Sequence, residues 1–159
     1  MTTKTKPVPD GYHTATPYLI VKEAAQAIEF YKRAFGAAEL MRMPGPGGKI
    51  MHAEIKIGDS PIMLADEFPA MDALSPQTIG GSPISLLLYV DNVDAMLSQA
   101  VSAGAKVDRP VVNQFYGDRS GTLTDPFGHK WTIATHIEDV SPEEMQRRLE
   151  AMAKSPASG

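Results

Sequence analysis

The chain has 159 residues, no cysteine, and a formal net charge of −4 from 15 basic and 19 acidic residues. This length suits one domain or two small fused modules. The lack of cysteine excludes disulfides, thiolate metal sites and cysteine nucleophiles, and the scattered Lys and Arg residues argue against nucleic acid as a partner. Neither a membrane-spanning stretch nor an apolar signal sequence is present, so we expect a cytoplasmic protein that does not bind a membrane.

The first half of the chain predicts a strand, a helix and three further strands. Residues 14–21 have strand character, with Pro17 favouring a sheet edge, and residues 23–35 place apolar side chains at helical spacing before the stop signal Gly36. The three further strands are predicted at residues 37–43, 50–57 and 61–65. Residues 67–82 are polar, rich in proline and glycine, and predict a linker.

The second half repeats this order. A strand is predicted at residues 84–90 and a helix at 91–103, ending at Gly104. The helix is predicted to turn Val93, Met96, Leu97, Ala100 and Val101 inward. A strand at 106–112 and a loop at 113–121 precede a hairpin, whose tight turn is Asp125-Pro126-Phe127-Gly128. Its second strand presents Trp131 and Ile133 on one face and Lys130, Thr132 and Ala134 on the other.

The two halves align with a spacing of about 69 residues, which pairs Val21 with Val90, Gly36 with Gly104 and Gly58 with Gly128. The sequence therefore predicts an α+β fold of two βαβββ modules, about 11–66 and 83–139. Residues 1–10 form an extended segment before the modules, and residues 155–159 a tail.

Residues 141–154 predict a C-terminal helix that begins with the capping box SPEE. Met145, Leu149 and Met152 form a narrow apolar stripe on this helix. We expect the stripe to pack on its own domain; a contribution to a dimer is the alternative.

Two stretches, TPYLIVKEAAQAIEFYKRAFGAAEL and QFYGDRSGTLTDPFGHKW, together with the tandem repeat, resemble the vicinal oxygen chelate superfamily. This group includes glyoxalase I, bleomycin-resistance proteins, fosfomycin-resistance enzymes and extradiol dioxygenases, and the two stretches are most similar to its PhnB-like branch. The resemblance covers residues 11–139. It implies a single domain whose sheets curl into a cupped half-barrel around a pocket, usually within a homodimer.

In the metal enzymes of this superfamily, the ligands come from the first and last strands of each module. The resemblance places those positions on Thr16, Ile62, Ser85 and Thr132, with Met63 in place of Ile62 after a shift of one residue. None of these is a His, Asp or Glu, the residues that bind hard or borderline divalent metals. We therefore predict no metal and no other cofactor, and expect Thr16, Met63, Ser85 and Thr132 to contact a small organic ligand.

The candidates for acid–base chemistry are His52 and Glu54, two residues apart on one predicted strand and so on the same face. If that face lines the cup, the pair could move a proton; the alternative is a solvated outer face. His13 lies three residues before Thr16, whereas we expect His129 and His136 to be exposed to solvent.

Further ligand-binding candidates are Phe115, Tyr116 and Arg119. Arg119 could hold a carboxylate or phosphonate in a bidentate fork, or pair with Asp118 or another nearby acid. The aromatic side chains of Phe115, Phe127 and Trp131 could stack on a ligand or fill the core. The cluster of Met41, Met43, Met51 and Met63 suits either a core or an adaptable pocket.

Three functions remain open at this point. The leading hypothesis is a dimeric protein that binds a small organic molecule in a metal-free pocket. The second is a metal-dependent isomerase, lyase or dioxygenase whose displaced ligands, such as His13, His52 and Glu54, converge on an ion. The third is a dimerisation module without a pocket.

Overall fold

Two four-stranded sheets, one from each half of the chain, frame the structure, a computed structural model that describes residues 4–155. The first sheet has the order β1-β4-β3-β2 and contains β1 (Tyr18–Val21), β2 (Ala38–Pro44), β3 (Ile50–Ile57) and β4 (Ser60–Asp66). The second has the order β5-β8-β7-β6 and contains β5 (Ser85–Tyr89), β6 (Lys106–Asn113), β7 (Asp118–Thr124) and β8 (Lys130–His136). The predicted segment 1–10 and the tail 155–159 lie partly outside the described residues.

Four α-helices accompany the sheets in residues 4–155. They are α1 (Ala24–Phe35), α2 (Pro76–Ile79), α3 (Val93–Ala103) and α4 (Pro142–Lys154). In each sheet the first strand of the module pairs in parallel with its last strand, β1 with β4 and β5 with β8, and the other pairs are antiparallel. Each half is therefore a βαβββ module, as the repeat predicts. None of the helices in residues 4–155 combines the length and apolar composition needed to span a bilayer.

Alternating burial along the strands separates a helix-covered face from a helix-free face. On β3, Ala53, Ile55 and Ile57 are buried with α1 in the core, whereas His52 and Glu54 lie on the opposite face and are half-buried. On β8, Trp131 and Ile133 lie on one face, as predicted, and both are fully buried, so Trp131 fills the core. Each sheet thus presents one face that no helix in residues 4–155 covers.

The modules join through their helices and through a buried aspartate. Helix α1 packs against α3, and Gln99 on α3 donates to the carbonyls of Arg33 and Ala34 at the end of α1. Asp125, only 4% exposed, accepts hydrogen bonds from Tyr31 Oη at 2.6 Å and Trp131 Nε1 at 2.8 Å. The turn that the sequence predicts at Asp125 is therefore also the junction between the two modules.

Several element boundaries differ from the prediction. Strand β1 begins at Tyr18 rather than at residue 14, and β7 begins at Asp118, inside the predicted loop 113–121. The predicted linker contains α2, which begins with Ser75 as its N-cap and Pro76 at the first helical position. The inward orientation expected for Val101 is wrong, because its side chain is 41% exposed.

The C-terminal helix forms where predicted, with Ser141 Oγ accepting from the Glu144 amide. Its apolar stripe is not buried against the rest of the chain, since Leu149 is 41% and Met152 57% exposed. Arg148 holds the helix in place through Glu138, with 2.6 Å between Arg148 Nη2 and Glu138 Oε1. The expectation that the stripe packs on its own domain is therefore wrong for these two residues.

Candidate functional site

A chain of four hydrogen-bonded side chains lies on the helix-free face of the first sheet. Tyr18 Oη on β1 lies 2.8 Å from His52 Nδ1 on β3, with the ring centroids 5.5 Å apart. His52 Nε2 is 3.1 Å from Glu54 Oε1, and the other oxygen of Glu54 accepts from the hydroxyl of Tyr12. Together, Tyr12, Tyr18, His52 and Glu54 form the Tyr–His–Glu network.

Local structure explains why these residues meet. His52 and Glu54 share a face because side chains alternate along β3. Tyr12 follows a turn in which Gly11 has a φ of 82° and the Tyr12 amide donates to the Pro9 carbonyl at 3.1 Å. This turn returns the chain toward the first sheet just before β1, where Tyr12 reaches Glu54.

The protonation state of the network follows from its hydrogen bonds. The hydroxyl of Tyr12 and the ring of His52 both donate to Glu54 and lower the pKa of its carboxyl. Burial, and then the bond to Glu54, raise the pKa of Tyr12 to about 12. Burial and the charge of Glu54 also raise the pKa of Tyr18. A neutral His52 ring that donates from Nε2 to Glu54 has Nδ1 placed to accept from the Tyr18 hydroxyl.

The network is bordered by methionines on the same face. Met63 on β4 lies opposite both Tyr18 and Glu54 in the strand register, and Met41 on β2 lies opposite Glu54 on the other side. Met43 is 48% and Tyr18 also 48% exposed. Flexible thioether side chains therefore surround a polar centre on an open surface.

The family ligand positions divide between the two sheets. Thr16 lies just before β1 and Met63 lies within the methionine border, whereas Ile62 is 3% exposed and packs in the core. The register thus puts Met63, and not Ile62, on the helix-free face. Ser85 and Thr132 lie on the second sheet, opposite Lys130 and Leu87 respectively.

Arg119 lies on the helix-covered side of β7 and is engaged by an acid. Its Nε and Nη2 atoms each lie 2.8 Å from a carboxylate oxygen of Asp94, in the first turn of α3, and Nη1 donates to Asn113 at 3.0 Å. Of the two roles open to Arg119, pairing with a nearby acid is the one present. Phe115 and Tyr116 contact each other edge to face in the loop before β7, with centroids 5.2 Å apart.

A second polar cluster occupies the helix-free face of the second sheet. His136 Nδ1 lies 2.8 Å from Asp118 Oδ1, and its Nε2 lies 2.8 Å from Asp139 Oδ1. Tyr89 Oη donates to the other oxygen of Asp118 at 2.8 Å, and Asp118 is only 5% exposed. The carboxylates of Asp139 and Asp118 raise the pKa of His136. The exposure expected for His136 holds, since half of its side chain is accessible, but it is tied to two acids.

The other two histidines have different surroundings. His129 is half-buried, and its Nε2 lies 2.9 Å from the carbonyl oxygen of Ile20 on β1, so the solvent exposure expected for it is wrong. His13 is exposed. Within residues 4–155, no three His, Asp or Glu side chains are grouped so that they could hold a metal ion. The convergence of His13, His52 and Glu54 that the metal-enzyme hypothesis requires is not found there.

Two members of the network, Tyr12 and Tyr18, are not among the sequence candidates. The sequence could have indicated Tyr18, because it lies two residues after the candidate Thr16 and therefore shares its face along an extended chain. It gives no such indication for Tyr12: its contact with Glu54 spans 42 residues and depends on the path of the segment before β1.

Comparisons with known proteins agree with this architecture. Residues 12–133 match the Glyoxalase/Bleomycin resistance protein/Dioxygenase superfamily. An uncharacterized protein of Mycobacterium tuberculosis is 41% identical over 137 residues, covering 84% of this chain and 81% of that protein. Two matched βαβββ modules with helix-free sheet faces define the class, and the chain belongs to this superfamily, also known as the vicinal oxygen chelate superfamily.

Solved structures share the same fold. A gene product of Arabidopsis thaliana superposes with a TM-score of 0.62 at 28% identity, over 77% of this chain and 98% of its own. The PhnB protein of Bacillus cereus superposes with a TM-score of 0.60 over 77% of this chain and 99% of its own; at 16% identity, this likeness shows the fold alone.

Proposed function

We propose that this protein binds a small organic molecule, without a metal ion, on the helix-free face of the first sheet. The observation that carries the proposal is the Tyr–His–Glu network, a connected polar centre within an exposed border of methionines. Binding sites for small molecules commonly combine a mainly apolar lining with a few fixed polar groups.

The hydrogen-bond directions in the network favour ligands that donate. The Tyr12 hydroxyl donates a hydrogen bond to Glu54, and the Tyr18 hydroxyl donates to Nδ1 of a neutral His52 ring, so both hydroxyl oxygens retain lone pairs for a ligand. Glu54 stays ionised and adds a negative charge. The ligand that fits is therefore an apolar or planar molecule with hydroxyl or amine groups.

A homodimer is part of the proposal. Large apolar side chains on the helix-free face of the first sheet are exposed in the single chain, among them Met41 at 38% and Met43 at 48%. A second copy placed over this face would remove them from water and enclose the ligand. Sedimentation at several protein concentrations tests this step separately from ligand binding.

The PhnB-like branch and a cytoplasmic location are also proposed. The branch is supported by the run QFYGDRSGTLTDPFGHKW, which contains the Gly117-Asp118-Arg119 element. The location is supported by the absence of cysteine from the sequence.

The test is a thermal-shift screen of hydroxyl- and amine-bearing aromatic compounds against the native protein and two variants. Tyr18→Phe removes one hydroxyl at the exposed end of the network, and Glu54→Gln removes its charge. We expect compounds that raise the melting temperature of the native protein to lose most of that effect with either variant. Glu143→Gln is the matched control for the loss of charge, since Glu143 is exposed and lies on α4, which contributes no residue to the network.

Two results would contradict the proposal. One is a set of stabilising compounds whose effects are equal in the native protein, Tyr18→Phe and Glu54→Gln. The other is stabilisation that appears only after Mg, Mn, Fe, Ni or Zn is added and disappears with a chelator.

A further inference from the structure

A groove beside β5 lies outside the proposed ligand site, since none of the residues of the Tyr–His–Glu network lines it. It has a volume of about 800 Å³ and lies between the second module and the β3–β4 turn of the first. Its apolar lining includes Phe35 and Ile57 from the first module and Leu88 and Met96 from the second. This is the β5 groove.

One wall of the β5 groove is the open edge of a sheet. Strand β5 is the outermost strand of the second sheet, and within residues 4–155 it pairs only with β8. The amide of Val90 donates to Ala134 on β8 at 2.8 Å. Because backbone groups alternate along a strand, the N–H and C=O groups of Leu87 and Tyr89 point away from β8. These groups are free to pair with an added strand.

The internal repeat identifies an equivalent groove in the first module. Asp91, Asn92 and Ala95 line the β5 groove, and their counterparts about 69 residues earlier, Lys22, Glu23 and Gln26, line a smaller groove of about 430 Å³ near β1. The β1 groove is therefore the symmetry counterpart of the β5 groove.

The chain itself occupies part of the β1 groove. The turn between β7 and β8 inserts Phe127, which is 7% exposed, and brings His129 Nε2 to 2.9 Å from the Ile20 carbonyl oxygen at the edge of β1. Gln77 on α2 then donates to the Pro126 carbonyl at 3.2 Å. The β3–β4 turn consists only of Gly58 and Asp59, and is too short to fill the β5 groove in the same way.

The charged residues of the β5 groove are all acidic. Two carboxylates, Asp59 and Asp91, lie among its described lining residues, which include no Lys, Arg or His. The carboxylate of Asp59 accepts only from the Ser60 hydroxyl, and that of Asp91 makes no hydrogen bond or ion pair within residues 4–155. A cationic occupant would find two acidic partners not neutralised by this chain.

We propose that the β5 groove binds an extended, lysine- or arginine-bearing segment of a partner protein, which adds to β5 as a further strand. The open backbone groups supply the pairing, the apolar floor accepts alternate side chains, and Asp59 and Asp91 select for positive charge. Residues 87–90 line the groove, and with a rise of about 3.3 Å per residue they match roughly four residues of the partner.

The test is fluorescence anisotropy with the full chain and labelled five-residue probes. The first probe is acetyl-Lys-Val-Thr-Val-Lys-amide, and the second replaces both lysines with glutamate. We expect saturable binding of the lysine probe, at least tenfold tighter than that of the glutamate probe. The double variant Asp59→Asn/Asp91→Asn should lose roughly tenfold in affinity, as expected for removing two partly exposed ion pairs. The control Glu143→Gln/Glu150→Gln makes the same charge change on α4 and should bind the lysine probe unchanged.

Two further measurements locate the probe. A lysine probe with N-methylated backbone amides cannot pair with β5 and should bind at least tenfold more weakly. The Leu87 and Tyr89 amides should shift and exchange more slowly in NMR spectra when the unmethylated probe is bound. No saturable binding, equal binding of the lysine and glutamate probes, or a dimer whose interface already covers β5 would overturn the proposal.

Discussion

Tyr31, on the helix of the first module, donates a hydrogen bond to Asp125, in the last turn of the second, with 2.6 Å between Tyr31 Oη and Asp125 Oδ2. Asp125 also accepts from the amides of Phe127 and His129 through its other oxygen. Tyr31 is fully buried, and burial, followed by the charge of Asp125, raises its pKa well above the ordinary value. The hydroxyl therefore stays protonated and donates across the module junction.

The first prediction concerns this junction. Tyr31→Phe removes a buried donor to a carboxylate and should lower the free energy of unfolding, measured by urea titration, by about 1.5–3 kcal/mol. Tyr116→Phe is the matched control, because Tyr116 is 39% exposed and its hydroxyl bonds to no other described residue. Its effect should stay within about 0.5 kcal/mol. Equal losses in the two variants would show that the hydrogen bond to Asp125 contributes little.

The second prediction concerns Gly117. Its φ is 101°, its carbonyl accepts from the amides of Ile137 and Glu138, and a β-carbon added there would overlap the Glu138 carbonyl oxygen. Gly117→Ala should therefore lower the free energy of unfolding by about 2–4 kcal/mol, from backbone strain and steric overlap together. Gly81 lies in open space without a positive φ, so Gly81→Ala should change stability by less than about 1 kcal/mol. A small effect at Gly117 would contradict the close approach of the two segments.

The third prediction concerns the pH dependence of His136. The groups that face it are Asp118 on β7 and Asp139 before α4, and Tyr89 bonds to Asp118 from β5. The folded pKa of His136 is raised, so its stabilising contribution is full below the unfolded value of about 6.5 and is lost as pH rises through the folded pKa. The stability difference between native protein and His136→Gln should therefore be largest near pH about 5.5 and should shrink above neutral pH.

Urea titrations across this pH range check the third prediction. His13→Gln is the control, because His13 is exposed and no hydrogen bond joins it to another described residue. Its difference from native protein should be small, because the substitution removes no hydrogen bond to a described residue. A difference for His136→Gln that grows as pH rises would reverse the sign and rule out the two-carboxylate environment.

The fourth prediction concerns metal content. Elemental analysis of protein purified without a histidine tag or chelator should find well below one equivalent of any transition metal, and added Mg, Mn, Fe, Ni or Zn should not raise the melting temperature. The reason is that the positions to which the resemblance assigns metal ligands hold Thr16, Ile62 (or Met63 after a shift of one residue), Ser85 and Thr132, none of which is a His, Asp or Glu. One tightly held metal per chain that is lost in His52→Ala or Glu54→Gln would favour the metal-enzyme hypothesis.

The repeat and the turn signals made most of the fold predictable. Gly36 ends α1 with a φ of 67°, and Gly128 occupies the last turn with a φ of 91°, both local requirements that a sequence displays directly. Helix α2 was missed although Ser75-Pro76 is the same cap signal as Ser141-Pro142. The helix is only four residues long, too short to show a helical period.

The candidate site was less predictable. The alternation that puts His52 and Glu54 on one face is local, but which face stays free of helices depends on how α1 packs. Arg119 illustrates the same difficulty, because its partner Asp94 lies 25 residues earlier and meets it only through the packing of α3 on β7. Contacts of this kind follow from the tertiary fold and leave no local pattern.

The most direct test of the central claim is a crystallographic screen with small aromatic fragments that carry hydroxyl or amine groups. The account predicts fragments on the helix-free face of the first sheet, with a donor group within hydrogen-bond distance of Tyr12 Oη, Tyr18 Oη or Glu54, and without a metal ion. It would be contradicted by crystals in which side chains of a second copy fill the space over the Tyr–His–Glu network, or in which fragments bind only elsewhere.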